Sequence, residues 1–226
     1  ARRSMSAERF SQEMEASFEG GGGLVMTSDM FKLVDEIPYP FDRYIAIDLA
    51  GFEKVEGGRK IKKLDDHAIA VVCNHAGGWC IEKIIHGQWD TRETALRIVK
   101  AFRDYRPVKL GIEKGMAKNA VLPYLNDEMN RLGVYFEVHD LTHGNQKKTD
   151  RIAWAMQGRA EKGRIQILRD REWNQMFLQQ AVDFPSTLSH DDLLDAVSYI
   201  DQLADPWYEG PDMVDDWEPL DDIAGY

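Results

Sequence analysis

Short apolar runs alternate with amphipathic segments along most of this chain, and the alternation predicts strands interleaved with helices. Runs of apolar and β-branched residues bounded by turn-forming residues are typical of strands. The strands are expected at about 43–49, 66–74, 79–88, 108–113, 134–138 and 165–168. The first three follow one another with short connections, so we expect a series of hairpins at the start of a sheet.

Apolar residues recur at helical spacing between the later strands. In the first such segment the pattern is carried by Ala95, Ile98 and Val99, with Thr91 as the expected N-cap. The second helix should end at Gly133, because glycine readily adopts the left-handed conformation that terminates helices. Helices are expected at about 91–105, 117–132, 147–162 and 171–182, with a last one after Ser189 or His190. Hairpin strands followed by alternating helices and strands predict an α/β fold, a mixed sheet with helices on its faces.

The two ends of the chain differ in composition from its middle. Residues 1–40 are expected to form a linker or lead-in, since four consecutive glycines interrupt it. The periodic elements fall within 41–204, which is the expected folded domain. Residues 205–226 contain eight acids and no Lys or Arg, so we expect a flexible acidic tail. No apolar run approaches the ~20 residues of a membrane span, and we expect no membrane association.

The net charge of −11 is unfavourable for binding nucleic acid, but its distribution is uneven. The acidic tail accounts for eight negative charges, which leaves −3 for the rest of the chain. Between His143 and Arg171 there are eight Lys or Arg residues and three acids, a balance that can bind phosphates. A solvated helix face is the alternative. Acids that bind metal would also lower the net charge without opposing DNA, because bound cations reverse the local sign.

Cys73 and Cys80 are the only cysteines, and such low usage indicates a reducing compartment rather than a disulfide scaffold. With His75 they form a C-x-H-x4-C pattern that could bind zinc. A structural zinc site normally has four ligands, and no fourth is evident. We therefore favour the alternative, two small apolar residues on adjacent strands.

Carboxylates at the ends of predicted elements are the strongest chemical signal. Asp48 ends the first strand, and Glu113 ends the fourth. Taken singly, Asp48 could cap the turn before Gly51, and Glu113 could be a surface acid. Their combination with acids at the start of the last helix is more specific than either residue alone.

That last helix begins with a group of acids. Asp195 follows Asp191 by four residues and therefore shares its helix face, whereas Asp192 should point elsewhere. The helix dipole also favours acids at this position without any ligand. His190 could protonate a leaving group, or it could simply adjoin the helix cap.

These acids suit a hard divalent cation. Mg²⁺ and Mn²⁺ prefer oxygen ligands and bind through a few carboxylates, waters and substrate phosphates. In a two-metal nuclease one ion generates the attacking hydroxide and the other stabilises the leaving oxygen. Asp48, Glu113 and Asp191, from distant parts of the chain, meet the requirement for such a site. We expect two ions and hydrolysis of a phosphodiester bond.

Four stretches of the chain carry a family resemblance: Tyr44–Gly51, Gly111–Lys114, Lys148–Ile152 and Asp183–Ala196. The last is the most specific, with Phe-Pro followed by His-Asp-Asp-x-x-Asp-Ala. They resemble the nuclease domain of tailed-bacteriophage terminase large subunits, which are members of the ribonuclease H-like superfamily. The resemblance covers about 40–204.

The resemblance implies a ribonuclease H-like fold, a central mixed β-sheet flanked by helices. It implies metal-dependent, largely sequence-nonspecific cutting of double-stranded DNA concatemers during viral genome packaging. The implied metal ligands are Asp48, Glu113 and Asp191, with Asp192 or Asp195 auxiliary. The residues expected at the DNA path are Lys114, Lys118, Lys147, Lys148 and Arg151.

The resemblance also implies partners and a location. Besides double-stranded DNA, these are a terminase ATPase domain in the same polypeptide, the portal and the small terminase subunit, in the host cytoplasm. The chain contains no G-x-x-x-x-G-K-[ST] motif, and Gly20–Gly23 lacks the Lys that would follow. We therefore expect no ATP hydrolysis by this chain, consistent with an isolated nuclease domain.

Three other functions remain open. A Holliday-junction resolvase or a transposase-type enzyme would use the same fold and metals. A sugar kinase or actin-like ATPase would need a phosphate-binding loop. The stretch Asp48–Phe52 lacks the Gly and the Thr expected for such a loop. A DNA-docking module without catalysis would have acids that bind no metal.

Overall fold

The strands and helices alternate in the order that the hydrophobic pattern predicts. The computed structural model describes residues 26–51, 66–144, 146–185 and 191–207. The strands are β1 (Phe31–Val34), β2 (Asp42–Asp48), β3 (His67–His75), β4 (Gly78–Gly87), β5 (Lys109–Glu113), β6 (Val138–Leu141) and β7 (Ile165–Leu168). The helices are α1 (Thr91–Tyr105), α2 (Met116–Leu132), α3 (Lys148–Glu161), α4 (Asn174–Asp183) and α5 (Asp192–Ser198). Short 3-10 turns lie at Ser28–Met30 and Tyr199–Gln202.

All these strands belong to one seven-stranded sheet, in the order β1-β7-β4-β3-β2-β5-β6. β3 runs antiparallel to its neighbours β2 and β4, as the predicted hairpin series requires. The other neighbouring pairs are parallel. Helices lie on both faces, so the prediction of a mixed sheet flanked by helices is confirmed.

The sheet buries both of its faces because its central strands are apolar on both sides. In β2, Ile45 and Ile47 pack against α1 and α2, while Tyr44 and Ala46 face α3, α4 and α5. Successive residues of a strand point to opposite faces, so each strand contributes to two cores. β3 is buried along its whole length, which explains its continuous apolar run.

Two local predictions are wrong. The strand expected at 134–138 lies at Val138–Leu141, where it pairs with β5. The residues before it are apolar for another reason: Phe136 stacks on Phe102 with ring centroids 4.2 Å apart. The N-cap of α1 is Asp90 rather than Thr91, because the Asp90 carboxylate accepts a hydrogen bond of 2.8 Å from the Glu93 amide. Local periodicity does not distinguish a strand from a loop that packs on the core.

The sheet also begins earlier than the predicted start of the domain at residue 41. Phe31–Val34 forms the edge strand β1 and pairs in parallel with β7. The predicted glycine break within 1–25 and the predicted acidic tail after Trp207 lie outside the described residues. Within the described ranges, no helix has the length and apolar character needed to cross a membrane.

The two cysteines face each other on β3 and β4, so their predicted placement on adjacent strands is confirmed. Both are fully buried, and the Cys73 thiol donates a hydrogen bond of 3.3 Å to Glu82. Burial raises the pKa of both thiols, which keeps them protonated at neutral pH. They behave as small core residues.

Gly111 of β5 leaves room for a core side chain from the neighbouring strand. A Cβ at this position would lie 2.6 Å from Leu141 Cδ2, and Leu141 is fully buried. We expect Gly111→Ala to lower the free energy of unfolding by about 1–3 kcal/mol through overpacking, measured by urea denaturation. Gly158→Ala is the control: a Cβ there meets nothing within 4 Å. It should raise stability by about 0.5–1 kcal/mol, because alanine favours a helix interior. Equal stability of the two variants would contradict the packing argument.

Candidate metal centre

Asp48 and Glu113 meet at the carboxyl ends of two adjacent parallel strands. The register pairs Ile47 of β2 with Ile112 of β5, so the next residue on each strand is an acid. Both acids follow an apolar residue that faces α1 and α2, and they therefore point to the opposite face, towards α3 and α5. The Glu113 side chain lies close enough to Asp48 to raise the pKa of the Asp48 carboxyl group.

Asp195 approaches this pair from α5. The helix packs its apolar residues, among them Leu193 and Leu194, into the core on that face of the sheet. The Gln180 side chain accepts hydrogen bonds from the amides of Leu193 (2.9 Å) and Leu194 (3.2 Å), which holds the first turn of α5 in place. Asp195 is 2% exposed, and its negative charge acts directly on Asp48.

Two cations hold Asp195. Lys148 Nζ lies 2.9 Å from Asp195 Oδ2 and 2.7 Å from Asp191 Oδ1, so it bridges the two carboxylates. Arg151 pairs with the other oxygen of Asp195 and donates a hydrogen bond of 2.6 Å to Ser198 Oγ. Its guanidinium also stacks over the Tyr199 ring at 3.9 Å. Arg151 is therefore fixed from three sides.

Asp48, Glu113, Asp191 and Asp195 form an acid cluster, and its electrostatics favour cation binding. Burial raises the pKa of Asp48 well above its ordinary value, and the bond to Glu113 and the charges of Asp195 and Glu113 raise it further. Lys148 opposes this rise. Burial by itself would lower the pKa of Lys148, but the charges of Asp195 and Asp191 outweigh it and raise that pKa. A bound metal ion would oppose the rise in the pKa of Asp48, because carboxylates bind metal in their deprotonated form.

His143 and Tyr199 extend the network on the side of Glu113. His143 Nε2 pairs with Glu113 Oε1, and His143 Nδ1 lies 3.0 Å from the Tyr199 hydroxyl. Which of the two groups donates in the bond between His143 and the Tyr199 hydroxyl depends on the imidazole tautomer. This chain of hydrogen bonds orients Glu113. Tyr199 was missed in the sequence, although it follows Asp195 by four residues, one turn of helix.

Of the five predicted metal ligands, Asp48 and Glu113 lie side by side at the ends of their strands, and the charge of Asp195 acts on Asp48. Asp191 joins them through Lys148. Asp192 points away, as expected, and its Oδ2 accepts a hydrogen bond of 3.2 Å from the Asp66 amide. The remaining predicted residue of this helix start, the histidine at position 190, lies outside the described residues.

The donor set fits a hard cation by its chemistry. It consists of carboxylate oxygens on rigid elements, the ligands that Mg²⁺ and Mn²⁺ prefer. As the side chains are placed, no three His, Cys, Asp or Glu residues of the described ranges are arranged to hold an ion. Lys148 and Arg151 pair with the two oxygens of Asp195, which accounts for this closed arrangement.

The basic residues predicted at the DNA path separate into two groups. Lys114, which follows Glu113, and Lys147, which precedes Lys148, are exposed. Lys118 and Arg151 are buried in ion pairs with Asp140 and Asp195, so neither offers an exposed charge, and their predicted contact with DNA stays a prediction. Nearby acids neutralise these charges inside the fold. Lys148, the fifth, is half-buried in the acid cluster.

Known proteins share this architecture. A family model of the terminase RNaseH-like domain matches residues 45–201. No curated protein matches the sequence. The large terminase nuclease of thermophilic phage G20c with bound magnesium superposes with a TM-score of 0.53 at 13% identity, covering 79% of this chain and 96% of that one.

Two further structures are similar. The human cytomegalovirus terminase nuclease domain superposes with a TM-score of 0.53 at 14% identity, covering 84% of this chain and 94% of that one. The large terminase of a second thermophilic bacteriophage gives 0.52 at 15% identity, covering 87% of this chain and 52% of that one. At these identities the structures show a common fold. Because the family model matches more than half of the sequence, this chain belongs to the family of terminase ribonuclease H-like domains.

Proposed function

We propose that this chain is a metal-dependent endonuclease that cuts double-stranded DNA concatemers during viral genome packaging. The observation that carries the proposal is the convergence of Asp48, Glu113 and Asp195 at the carboxyl end of the sheet. The terminase nuclease fold supports DNA as the substrate. Similar nuclease structures contain magnesium or zinc, and one was soaked with manganese, which supports a divalent cation.

Each residue of the cluster has a role in this proposal. Asp48, Glu113 and Asp195 would hold Mg²⁺ or Mn²⁺, with Asp191 auxiliary. When bound, the metal supplies an activated water and stabilises charge on the phosphate. His143 keeps the Glu113 carboxylate oriented, because ligands held by outer hydrogen bonds bind metal more effectively.

The exposed ammonium groups beside the cluster would bind the DNA backbone. Lys114 directly follows Glu113, and Lys147 directly precedes α3. Contacts from lysine to phosphate position DNA without reading its bases. We therefore propose that cutting is largely independent of sequence.

We also propose a setting for this activity. The matched region covers 52% of the large terminase from the second thermophilic bacteriophage, so in that protein the nuclease fold is part of a longer chain. By analogy, the partners of this chain would be an ATPase domain in cis, the portal and the small terminase subunit, in the host cytoplasm.

A plasmid assay tests the proposal. Supercoiled DNA should be nicked and linearised with Mn²⁺ or Mg²⁺, and it should remain intact in EDTA. Linear duplex should be cut at least as fast as a four-way junction. A strong preference for the junction would favour a resolvase, and unchanged DNA together with no Mn²⁺ binding would favour a docking module.

A further inference from the structure

A cavity of about 410 Å³ lies at the end of the sheet opposite the acid cluster. Its walls are the hairpin turn between β3 and β4, the C-terminal end of α3 and the last described residues of the chain. Asn74, in the wall, pairs with Asp42 at the start of β2, whereas Asp48 lies six residues further along that strand. At about 3.3 Å per residue, the cavity is roughly 20 Å from the acid cluster. It is therefore separate from the proposed metal centre.

We propose that this cavity is a binding site for a carboxylate group, which an acidic peptide segment supplies. Its volume lies within the range of ligand sites, about 300–1,000 Å³. Arg164, an exposed residue of the wall, would pair with the carboxylate, and His75 would donate a hydrogen bond to it. This binding would be a property additional to the proposed cleavage of DNA.

His75 contributes a buried hydrogen-bond donor. The residue is 4% exposed, and its Nδ1 accepts a hydrogen bond of 3.0 Å from the Gly77 amide. Burial lowers the pKa of His75, so the ring is neutral at pH 7 and its hydrogen is on Nε2. Among the residues that the structure describes, none accepts a hydrogen bond from this nitrogen. A buried donor without a partner is destabilising, and a ligand oxygen would satisfy it.

Arg164 contributes a positive charge at a fixed position. Its amide donates a hydrogen bond of 2.8 Å to the Arg159 carbonyl, and its carbonyl accepts one of 2.9 Å from the Trp79 amide. Gly78 permits this close approach, because a Cβ there would overlap the Arg164 carbonyl oxygen. Within the described ranges the Arg164 guanidinium has no acidic partner. A guanidinium binds a carboxylate through two parallel hydrogen bonds, which matches the proposed ligand.

The remaining charges of the wall are paired, and this favours a ligand with a single negative charge. Arg159 pairs with Asp201 at 2.7 Å, and Asp205 pairs with Lys109 at 2.7 Å. Arg164 therefore leaves one uncompensated positive charge, which one carboxylate neutralises. A phosphate monoester carries nearly two negative charges at pH 7. Its second charge would be repelled by the acids already in the cavity wall.

An acidic segment follows the cavity directly in the sequence. Asn74 Nδ2 donates a hydrogen bond of 2.9 Å to the Asp205 carbonyl, which holds the chain against the cavity, and Trp207 is part of the wall. Residues 208–226 contain seven acids and no Lys or Arg. A tethered segment has an effective concentration in the millimolar range, so residues 208–226 would compete with an acidic segment of another protein. The two sources supply the same carboxylate chemistry.

Fluorescence anisotropy of a labelled peptide with the sequence of residues 208–226 tests the site. The peptide is titrated with the wild-type chain and with a full-length variant in which the seven acids of 208–226 are replaced by the corresponding amides. We expect the amide variant to bind the peptide. Weaker binding by the wild type would show that its own segment fills the cavity. Equal binding would show that the cavity is open to another chain.

Substitutions in the amide variant locate the binding. Arg164→Gln should weaken it by about tenfold or more, because hydrogen bonds between charged groups are strong. Lys162→Gln is the matched control: it removes a neighbouring exposed charge that does not line the cavity, and should change the Kd by less than about twofold. His75→Asn retains an acceptor for the Gly77 amide but lacks the Nε2 donor, and should weaken binding by about fivefold.

Two further measurements complete the test. Thermal unfolding of each variant shows whether it is folded, and the exposed position of Arg164 makes a folding defect in Arg164→Gln unexpected. A peptide whose acids are replaced by amides should not bind. No binding by the amide variant of the chain, or equal losses in Arg164→Gln and Lys162→Gln, would overturn the proposed site. Neither result would affect the proposed nuclease function, which the plasmid assay tests separately.

Discussion

Replacing Asp48 with asparagine should abolish DNA cleavage and at the same time stabilise the metal-free protein. In the proposed site the variant loses a carboxylate ligand at the point where metal and substrate meet. Metal ions supply several kcal/mol of transition-state stabilisation, and a loss of about 4 kcal/mol corresponds to a rate about 1,000-fold lower. We therefore expect plasmid cleavage to fall by about 1,000-fold or more.

The gain in stability follows from the pKa of Asp48. Its pKa in the folded protein is raised well above the ordinary value of 3.8, chiefly by burial. The unfolded chain therefore releases this proton at lower pH than the folded one, and the folded state loses stability as pH rises from 3.8 towards the raised pKa. Asparagine does not titrate. Asp48→Asn should melt higher than the wild type in EDTA, and the difference should be larger at pH 8 than at pH 5.

Differential scanning calorimetry with and without Mn²⁺ measures this effect. Each kcal/mol gained corresponds to about 2–4 °C in Tm for a protein of this size. Mn²⁺ should raise the Tm of the wild type but not that of Asp48→Asn, because binding to the folded state stabilises it. Asp104→Asn, an exposed acid on α1, is the matched control and should keep both activity and the response to Mn²⁺. A lower Tm for Asp48→Asn at pH 8 would contradict the assignment.

Asp195→Asn should both inactivate and destabilise the protein. The substitution removes the carboxylate that pairs with the buried Arg151 and with Lys148. Breaking a buried ion pair by removing one partner costs about 3–5 kcal/mol, since the remaining charge is left uncompensated. We expect Tm to fall by roughly 10 °C in EDTA, and Mn²⁺ binding to be lost.

Asp191→Asn is the informative comparison. The Asp191 side chain is partly exposed and contacts Lys148, and exposed ion pairs contribute about 0–1 kcal/mol. Its Tm should therefore stay within a few degrees of the wild type. The family resemblance implied Asp191 as a primary ligand and Asp195 as auxiliary, whereas the contacts favour the reverse. A larger loss of Mn²⁺ binding in Asp191→Asn than in Asp195→Asn would restore the original assignment.

Much of the fold can be predicted from local patterns in this chain. β2 to β5 begin and end within about one residue of the predicted positions, and α2 ends at Gly133 as expected. These elements have long apolar periodicity or a strong terminator, and both are local properties. The proximity of Asp48 and Glu113 could also be predicted from the sequence, because neighbouring parallel strands bring their carboxyl ends to the same edge of the sheet.

Other features depend on contacts between distant segments. Lys148 and Arg151 were expected at the DNA path from their position in the family resemblance, within a basic stretch of the chain. Whether a lysine contacts solvent or Asp191 is decided by how α3 packs against α5, and local composition carries no information on that packing. For the same reason β6 was predicted four residues too early: pairing with β5, rather than hydrophobicity, selects its residues.

Asp48, the first residue of the acid cluster along the chain, lies on β2, whereas Asp195 lies on α5, near the end of the described chain. A ribosome therefore releases Asp48 and Glu113 long before the residue that completes the group. Domains fold as synthesis proceeds from the N-terminus, so a growing polypeptide has a nearly complete sheet before it contains the last acid of the proposed site. In the proposed nuclease, cleavage would therefore require the final helix to dock, and a translation product that ends before α5 should be inactive.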